Sequence, residues 1–243
     1  MINERDIAEK FTVVWKQNFP LLTPSFMKVF NETNVSMINE DSAFIDEEVR
    51  YDLVSEAAFN LSQMVIEDGI IAVDFLSSKI NCQKLAEKTA VSIWPKNHYS
   101  EQDMGFNKFE ITDVLNICKN IVEFVSKMKA KKIQFRPRLR GYGIVSDLEA
   151  DLEIDDSLYE IKTVTRNFKS SDLKQLFMYL ALKQVSGEEN WKNAGLYNPR
   201  KGTFCQFNIK NLIDNITGGK SPNEAFENLL NSLTRDLEID ARF

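Results

Sequence analysis

Residues Ala150 to Lys162, reading ADLEIDDSLYEIK, alternate apolar and polar side chains on either side of a short acidic pair. Leu152 and Ile154 precede the pair Asp155-Asp156, and Leu158 and Ile161 follow it. Two alternating runs joined by two turn-forming residues predict a β-hairpin. If Asp155 and Asp156 form the loop, Ile154 pairs with Ser157 and Leu152 with Tyr159. Asp151 then lies opposite Glu160, and directly opposed residues share a face with Cβ atoms ~5 Å apart. Lys162 is two residues beyond Glu160, so it projects from the same face. The pattern thus predicts two carboxylates and one ammonium gathered on one surface of a sheet.

Such a trio has a defined chemistry. Two carboxylates from different strands can hold a hard divalent cation such as Mg²⁺, which keeps several waters and is completed by substrate phosphate oxygens. Mn²⁺ suits the same oxygen-rich site. The metal polarises a phosphoryl oxygen and ionises water, and a neighbouring lysine offsets charge growing on the phosphorus. The plain alternative is a solvated, charged hairpin face, and the hairpin alone does not decide between them.

The next segment adds to the first. Ser170-Ser171-Asp172 is good helix N-cap material, and Leu173 to Val185 has the spacing of an amphipathic helix. Gln175 and Tyr179 are four residues apart and share a helix face. A hairpin with an acid and E-x-K, followed by a helix with Q-x-x-x-Y, resembles the PD-(D/E)XK nuclease superfamily, in particular its RecB-like branch. The resemblance covers Gly141 to Phe207. It implies a restriction-endonuclease-like α/β fold, a mixed sheet flanked by helices, here with a helical N-terminal half. It also implies that Asp151 and Glu160 bind the metal, that Lys162 assists the water, and that Gln175 and Tyr179 steady the site and the nucleic-acid backbone. Asp147 is an alternative first acid, and Glu149 and Glu153 share the Asp151 face. The superfamily often draws a further metal-site acid from an earlier helix; Glu48, Glu56 and Glu123 qualify, and Glu56 is preferred. Ala150 stands where the family's proline would precede the first acid. The only histidine, His98, lies in a stretch that reads as a surface loop.

Charge reverses locally just before the hairpin. Lys127, Lys129, Lys131, Lys132, Arg136, Arg138 and Arg140 fall in a stretch with no acid from Phe124 to Ser146, in a chain of net charge −6. A basic strip beside a phosphodiester-cutting site has nucleic acid as its natural partner. Lys131, Lys132, Arg136, Arg138, Arg140 and the later Arg166 are therefore the expected nucleic-acid-binding residues, with Tyr197, Arg200 and Lys201 as further candidates. Pro137 interrupts the alternation of Arg136, Arg138 and Arg140 and predicts an edge strand or bulge.

Elsewhere the pattern is mostly helical. Helices are expected over 4–18, 46–67, two short pieces within 70–95, 111–129 and from Ser221 to about Leu233. Strands are expected over 194–198 and 203–209, joined by Pro199-Arg200-Lys201-Gly202. Phe44, Phe59 and Phe75 are expected in the core. The irregular stretch 96–109 suggests a division into a helical region, 1–110, and a nuclease core, 111–243. No apolar run approaches the ~18 residues of a membrane span. With no N-terminal signal and three scattered cysteines, a cytoplasmic protein with reduced thiols is expected.

Together these readings predict a Mg²⁺-dependent nuclease. DNA is favoured over RNA because the resembled branch mostly cuts DNA, and the family's habits suggest bacterial antiviral defence or repair. The acidity outside the basic strip suggests a partner subunit, a helicase or sensor, that delivers substrate. The alternative is a non-catalytic nucleic-acid-binding or assembly subunit that keeps the fold. A P-loop nucleotide hydrolase is disfavoured, because no G-x-x-x-x-G-K-[ST] loop is present.

Overall fold

A computed structural model of the protein describes residues 4–43, 49–94, 104–143 and 145–240. The first expected helix is two, α1 (Glu4–Lys10) and α2 (Thr12–Asn18). Phe11 leaves helical geometry at ψ 51°, and the Trp15 indole donates to the Ile7 carbonyl at 2.8 Å, which buries both side chains at the break. A helix that the sequence reading missed, α3 (Pro24–Thr33), starts with Thr23 accepting from the Phe26 N–H and proline in the first turn. β1 (Ser36–Met37) follows.

α4 (Tyr51–Asp68) begins later than expected, since Arg50 is extended, and ends at Gly69 in the left-handed conformation. Residues 46–48, with Glu48, and also Phe44 and His98, lie outside the described residues. α5 (Ala72–Ser77) is short, but α6 (Lys79–Ile93) runs for 15 residues. α7 (Lys108–Lys127) opens with a reciprocal capping box between Asn107 and Glu110.

The strands are β2 (Ile133–Phe135), β3 (Arg138–Leu139), β4 (Leu148–Glu149), β5 (Leu152–Ile154) and β6 (Ser157–Ile161). Then come α8 (Ser170–Val185), β7 (Asn193–Asn198), β8 (Thr203–Asn208), α9 (Ile209–Thr217) and α10 (Pro222–Asp240). Pro137 does interrupt the basic strip. Arg136 takes φ +50° and the chain passes from β2 into a separate two-stranded pairing of β3 with β4.

The main sheet has six strands in the order β1-β8-β7-β6-β5-β2. β5 and β6 pair with the expected register, Leu152 opposite Tyr159 and Ile154 opposite Ser157. Asp155 turns the hairpin at φ +52°. α8 is the crossover that carries the chain from β6 to the parallel strand β7, and the other pairs are antiparallel. The sheet is therefore mixed, with helices on both faces.

Period-two alternation divides the core. Leu158, Ala194, Leu196 and Cys205 pack with α8, α10 and the N-terminal Ile7, Trp15 and Phe19. Leu152, Ile154, Tyr159 and Tyr197 pack with α4 and α7, and Phe59 and Phe75 belong to that layer. Both layers are built, among the described residues, from residues on either side of position 110. Among the described residues no helix is long and apolar enough to cross a membrane. Cys82, Cys118 and Cys205 are free thiols.

Candidate active site

At the open end of the hairpin the chain leaves the sheet. Asp151 stands just before β5, where the Arg136 N–H donates to its carbonyl at 2.9 Å. It is not a strand partner of Glu160. Its side chain reaches across instead, and Oδ2 accepts the Ile161 N–H at 2.6 Å. The carboxylate takes the place of a main-chain acceptor, which fixes it beside the end of β6.

On β6, Glu160 is 2% exposed. Its Oε1 accepts from Lys162 Nζ at 2.6 Å. Its Oε2 is buried without a hydrogen-bond partner among the described residues. Lys162 Nζ also donates to Gln175 Oε1 at 2.6 Å, and Gln175 Nε2 donates to the Tyr179 hydroxyl at 2.9 Å. Two of the three ammonium N–H groups are thus used, and their directions are set by a strand neighbour and by α8. Glu160, Lys162, Gln175 and Tyr179 form one chain of hydrogen bonds, and Asp151 is held apart from it by the Ile161 N–H.

Burial pushes the Glu160 carboxyl up to about 8, with the Asp151 carboxylate adding to the shift. Asp151 is raised too, by burial first, while Lys162, the Ile161 N–H and Arg136 oppose the rise. Burial alone would lower Lys162, but the Glu160 and Asp151 carboxylates outweigh it and leave the ammonium above its ordinary range. Tyr179 is raised by burial and by the nearby Glu160, Asp151 and Glu4 carboxylates, so its hydroxyl keeps its proton.

A cleft of about 220 Å³ opens over Asp151 and Lys162, with Asp52, Glu56 and Phe59 of α4 in its wall. Glu56, the preferred extra acid, therefore faces the site, but Arg136 Nη2 donates to it at 2.6 Å and to Asn60 at 2.9 Å. Glu4 was not anticipated. Its Oε1 lies 3.5 Å from Gln175 Nε2, contributed by α1 from the far end of the chain. Nothing local in Asn3-Glu4-Arg5 marks it, because its approach depends on α1 packing against α8.

Other candidates lie elsewhere. Asp147 Oδ1 accepts the Gly141 N–H at 2.7 Å and closes a loop. Glu149 pairs with Arg138 at 3.1 Å, and Glu123 with Lys127 and Asn39. Glu153, expected on the Asp151 face, does not line the cleft. It is buried toward the hairpin tip, bound by Lys132 at 2.5 Å and by the Trp191 indole at 3.0 Å.

The basic strip is dispersed. Lys131 and Lys132 tie their N–H groups to the Asp155 carboxylate at the turn, about 13 Å along the strand from Asp151 at ~3.3 Å per residue. Arg136 faces α4, Arg138 is paired and exposed, and Arg140 is exposed. Arg166 grips Asp172 with two bonds, at 2.7 and 2.9 Å. Tyr197 and Arg200 are buried, which removes them from any surface contact.

Whether Mg²⁺ fits can be judged from the donors. Among the described residues no three His, Cys, Asp or Glu side chains form a ready cluster, as a softer, fully protein-bound metal would need. Asp151 and Glu160 do offer two carboxylates that interact electrostatically, one with a buried oxygen that has no partner among the described residues. Mg²⁺ binds through one or two carboxylates and keeps its waters, so the donor set fits. The chain matches no protein-family model, no curated protein and no solved structure.

Proposed function

We propose that this chain is a metal-dependent nuclease that hydrolyses phosphodiester bonds, with DNA as substrate. The observation that carries the reading is the hydrogen-bonded set Glu160, Lys162, Gln175 and Tyr179 with the Asp151 carboxylate pinned at the end of the same strand, and a buried Glu160 Oε2 that has no partner among the described residues. A buried acceptor without a donor is costly, and two buried carboxylates side by side raise each other's proton affinity. Both costs fall when a hard cation enters. The order hairpin, crossover helix, parallel strand also suits a restriction-endonuclease-like core.

Mg²⁺ or Mn²⁺ held by Asp151 and Glu160 would supply Lewis-acid polarisation and a water nucleophile at neutral pH. The protein's own part is orientation. Gln175 and Glu160 hold the Lys162 ammonium with one N–H left to direct at the attacking water or at a phosphoryl oxygen. Tyr179 keeps Gln175 in place. As the water oxygen bonds to phosphorus, the bond to the leaving sugar oxygen breaks, and that oxygen takes up a proton. The acidic cleft and net charge of −6 disfavour unaided binding of a polyanion, so we assign delivery to a partner subunit of the helicase or sensor kind. A role in cytoplasmic antiviral defence or repair belongs to the same proposal.

The test is cleavage of linear, circular and single-stranded DNA with Mg²⁺, Mn²⁺ or EDTA, comparing wild type with Lys162→Ala. Metal-dependent cutting should fall at least 100-fold in the variant, the scale of losing a positioned catalytic group (~10²–10⁴-fold). Equal cutting by Lys162→Ala would remove this site from the chemistry.

A further inference from the structure

A small pocket of about 50 Å³ lies between the loop that follows Lys162 and the end of β7, walled by Arg166, Lys201 and the side-chain amides of Asn31, Asn167 and Asn198. Among the described residues no carboxylate lines it, whereas the cleft over Asp151 has acids in its wall. We propose that this pocket seats a backbone phosphate of the substrate strand, the neighbour of the phosphate being cut. The inference rests on the nuclease reading and names where that substrate is held.

The sheet brings the pocket to the site. Ile161 pairs with Tyr197, and the Lys162 N–H donates to the Tyr197 carbonyl at 2.7 Å. Lys162 is the first residue after β6 and Asn198 the last of β7, so this bond keeps the two chain segments together where they leave the paired strands. The loop 163–169 leaves directly from Lys162 and is pinned at several points. Asn198 Nδ2 donates to the Val164 carbonyl at 2.7 Å, and Asn31 exchanges two bonds with the Phe168 main chain at 2.9 and 3.1 Å.

Donors remain for a ligand. Arg166 spends three N–H groups, two on Asp172 and one on the Asn167 carbonyl, of the five a guanidinium carries. Lys201 spends one of three, on Asn167 Oδ1 at 2.8 Å. The rest belong to two cations held in place in advance, and a pre-oriented charged donor suits a phosphate diester. The basic residues expected from sequence at the hairpin tip lie about 13 Å from Asp151.

The experiment compares wild type, Lys201→Glu, Lys201→Arg and Lys210→Glu. Lys210 is an exposed lysine at the other end of β8 and serves as the charge control. Cleavage of a single-stranded oligonucleotide with Mg²⁺ gives kcat and KM. Fluorescence anisotropy of the same oligonucleotide, with each change placed in the Lys162→Ala background and Mg²⁺ present, gives affinity and its salt dependence.

Lys201→Glu should raise KM and weaken binding about tenfold, as expected for one charged hydrogen bond, with kcat within about twofold. The slope of log affinity against log salt should fall by about 1. Lys201→Arg should restore binding and Lys210→Glu should leave it unchanged. Unaltered binding in Lys201→Glu, or equal losses in Lys201→Glu and Lys210→Glu, would overturn the phosphate pocket even if cutting persists. Lys201-dependent binding without cutting by wild type would retain the pocket and remove the proposed activity.

Discussion

Glu160 has a carboxyl raised to about 8 by burial and by Asp151, so its folded-state pKa lies well above the ordinary ~4.3. The folded protein therefore holds this proton more tightly than the unfolded chain does. The stability that this contributes is complete below pH ~4 and is lost as pH rises toward 8. Wild type should lose roughly 1–3 kcal/mol between pH 6 and 9 from this group. Glu160→Gln, which mimics the protonated acid, should remove most of that fall, and Mg²⁺ should reduce it in wild type. Urea midpoints across this range check the expectation; parallel curves for wild type and Glu160→Gln would show that Glu160 already ionises at its ordinary pKa.

The β7–β8 turn has its position set from beneath. Arg200 and Asp113 of α7 are 2% and 0% exposed and joined by two bonds, at 3.0 and 2.8 Å. Arg200 also donates to the Ala43 carbonyl at 2.9 Å, and its ring-facing side lies over Tyr51. The turn that carries Asn198 and Lys201 is thereby fastened to α7 and to the segment before α4. Asp113→Ala leaves a guanidinium buried without its counter-charge and should cost about 3–5 kcal/mol in urea unfolding, the range for breaking a buried pair. A cost below about 1 kcal/mol would mean that the turn does not depend on this pair. The hairpin, by comparison, is specified locally: its register follows from alternation and from Asp155, whose carboxylate also accepts the Lys131 and Lys132 N–H groups at 3.0 and 2.9 Å.

At the scale of the whole molecule, α1 and α2 lie in the layer with α8 and α10, while α4 and α7 cover the opposite face. A fragment of residues 111–243 would expose both sides of the sheet's core. It should show no cooperative thermal transition by circular dichroism, while the full chain should show one. A cooperative transition in the fragment would make 110/111 a domain boundary. The sequence by itself determined the hairpin, its register, α8 and the two strands after it, and put Glu160 with Lys162 and Gln175 with Tyr179 on shared faces; that the two pairs join was implied by the family resemblance alone. Those features rest on period-two alternation, on four-residue spacing and on contacts between near neighbours in the chain, all of which are written locally. Only the tertiary structure decided that Arg136 turns to Glu56, that Arg166 turns to Asp172, and that Glu4 reaches Gln175 across 171 residues. A charged side chain can choose among many partners, and its choice depends on which helix faces pack together, a property that no local spacing encodes.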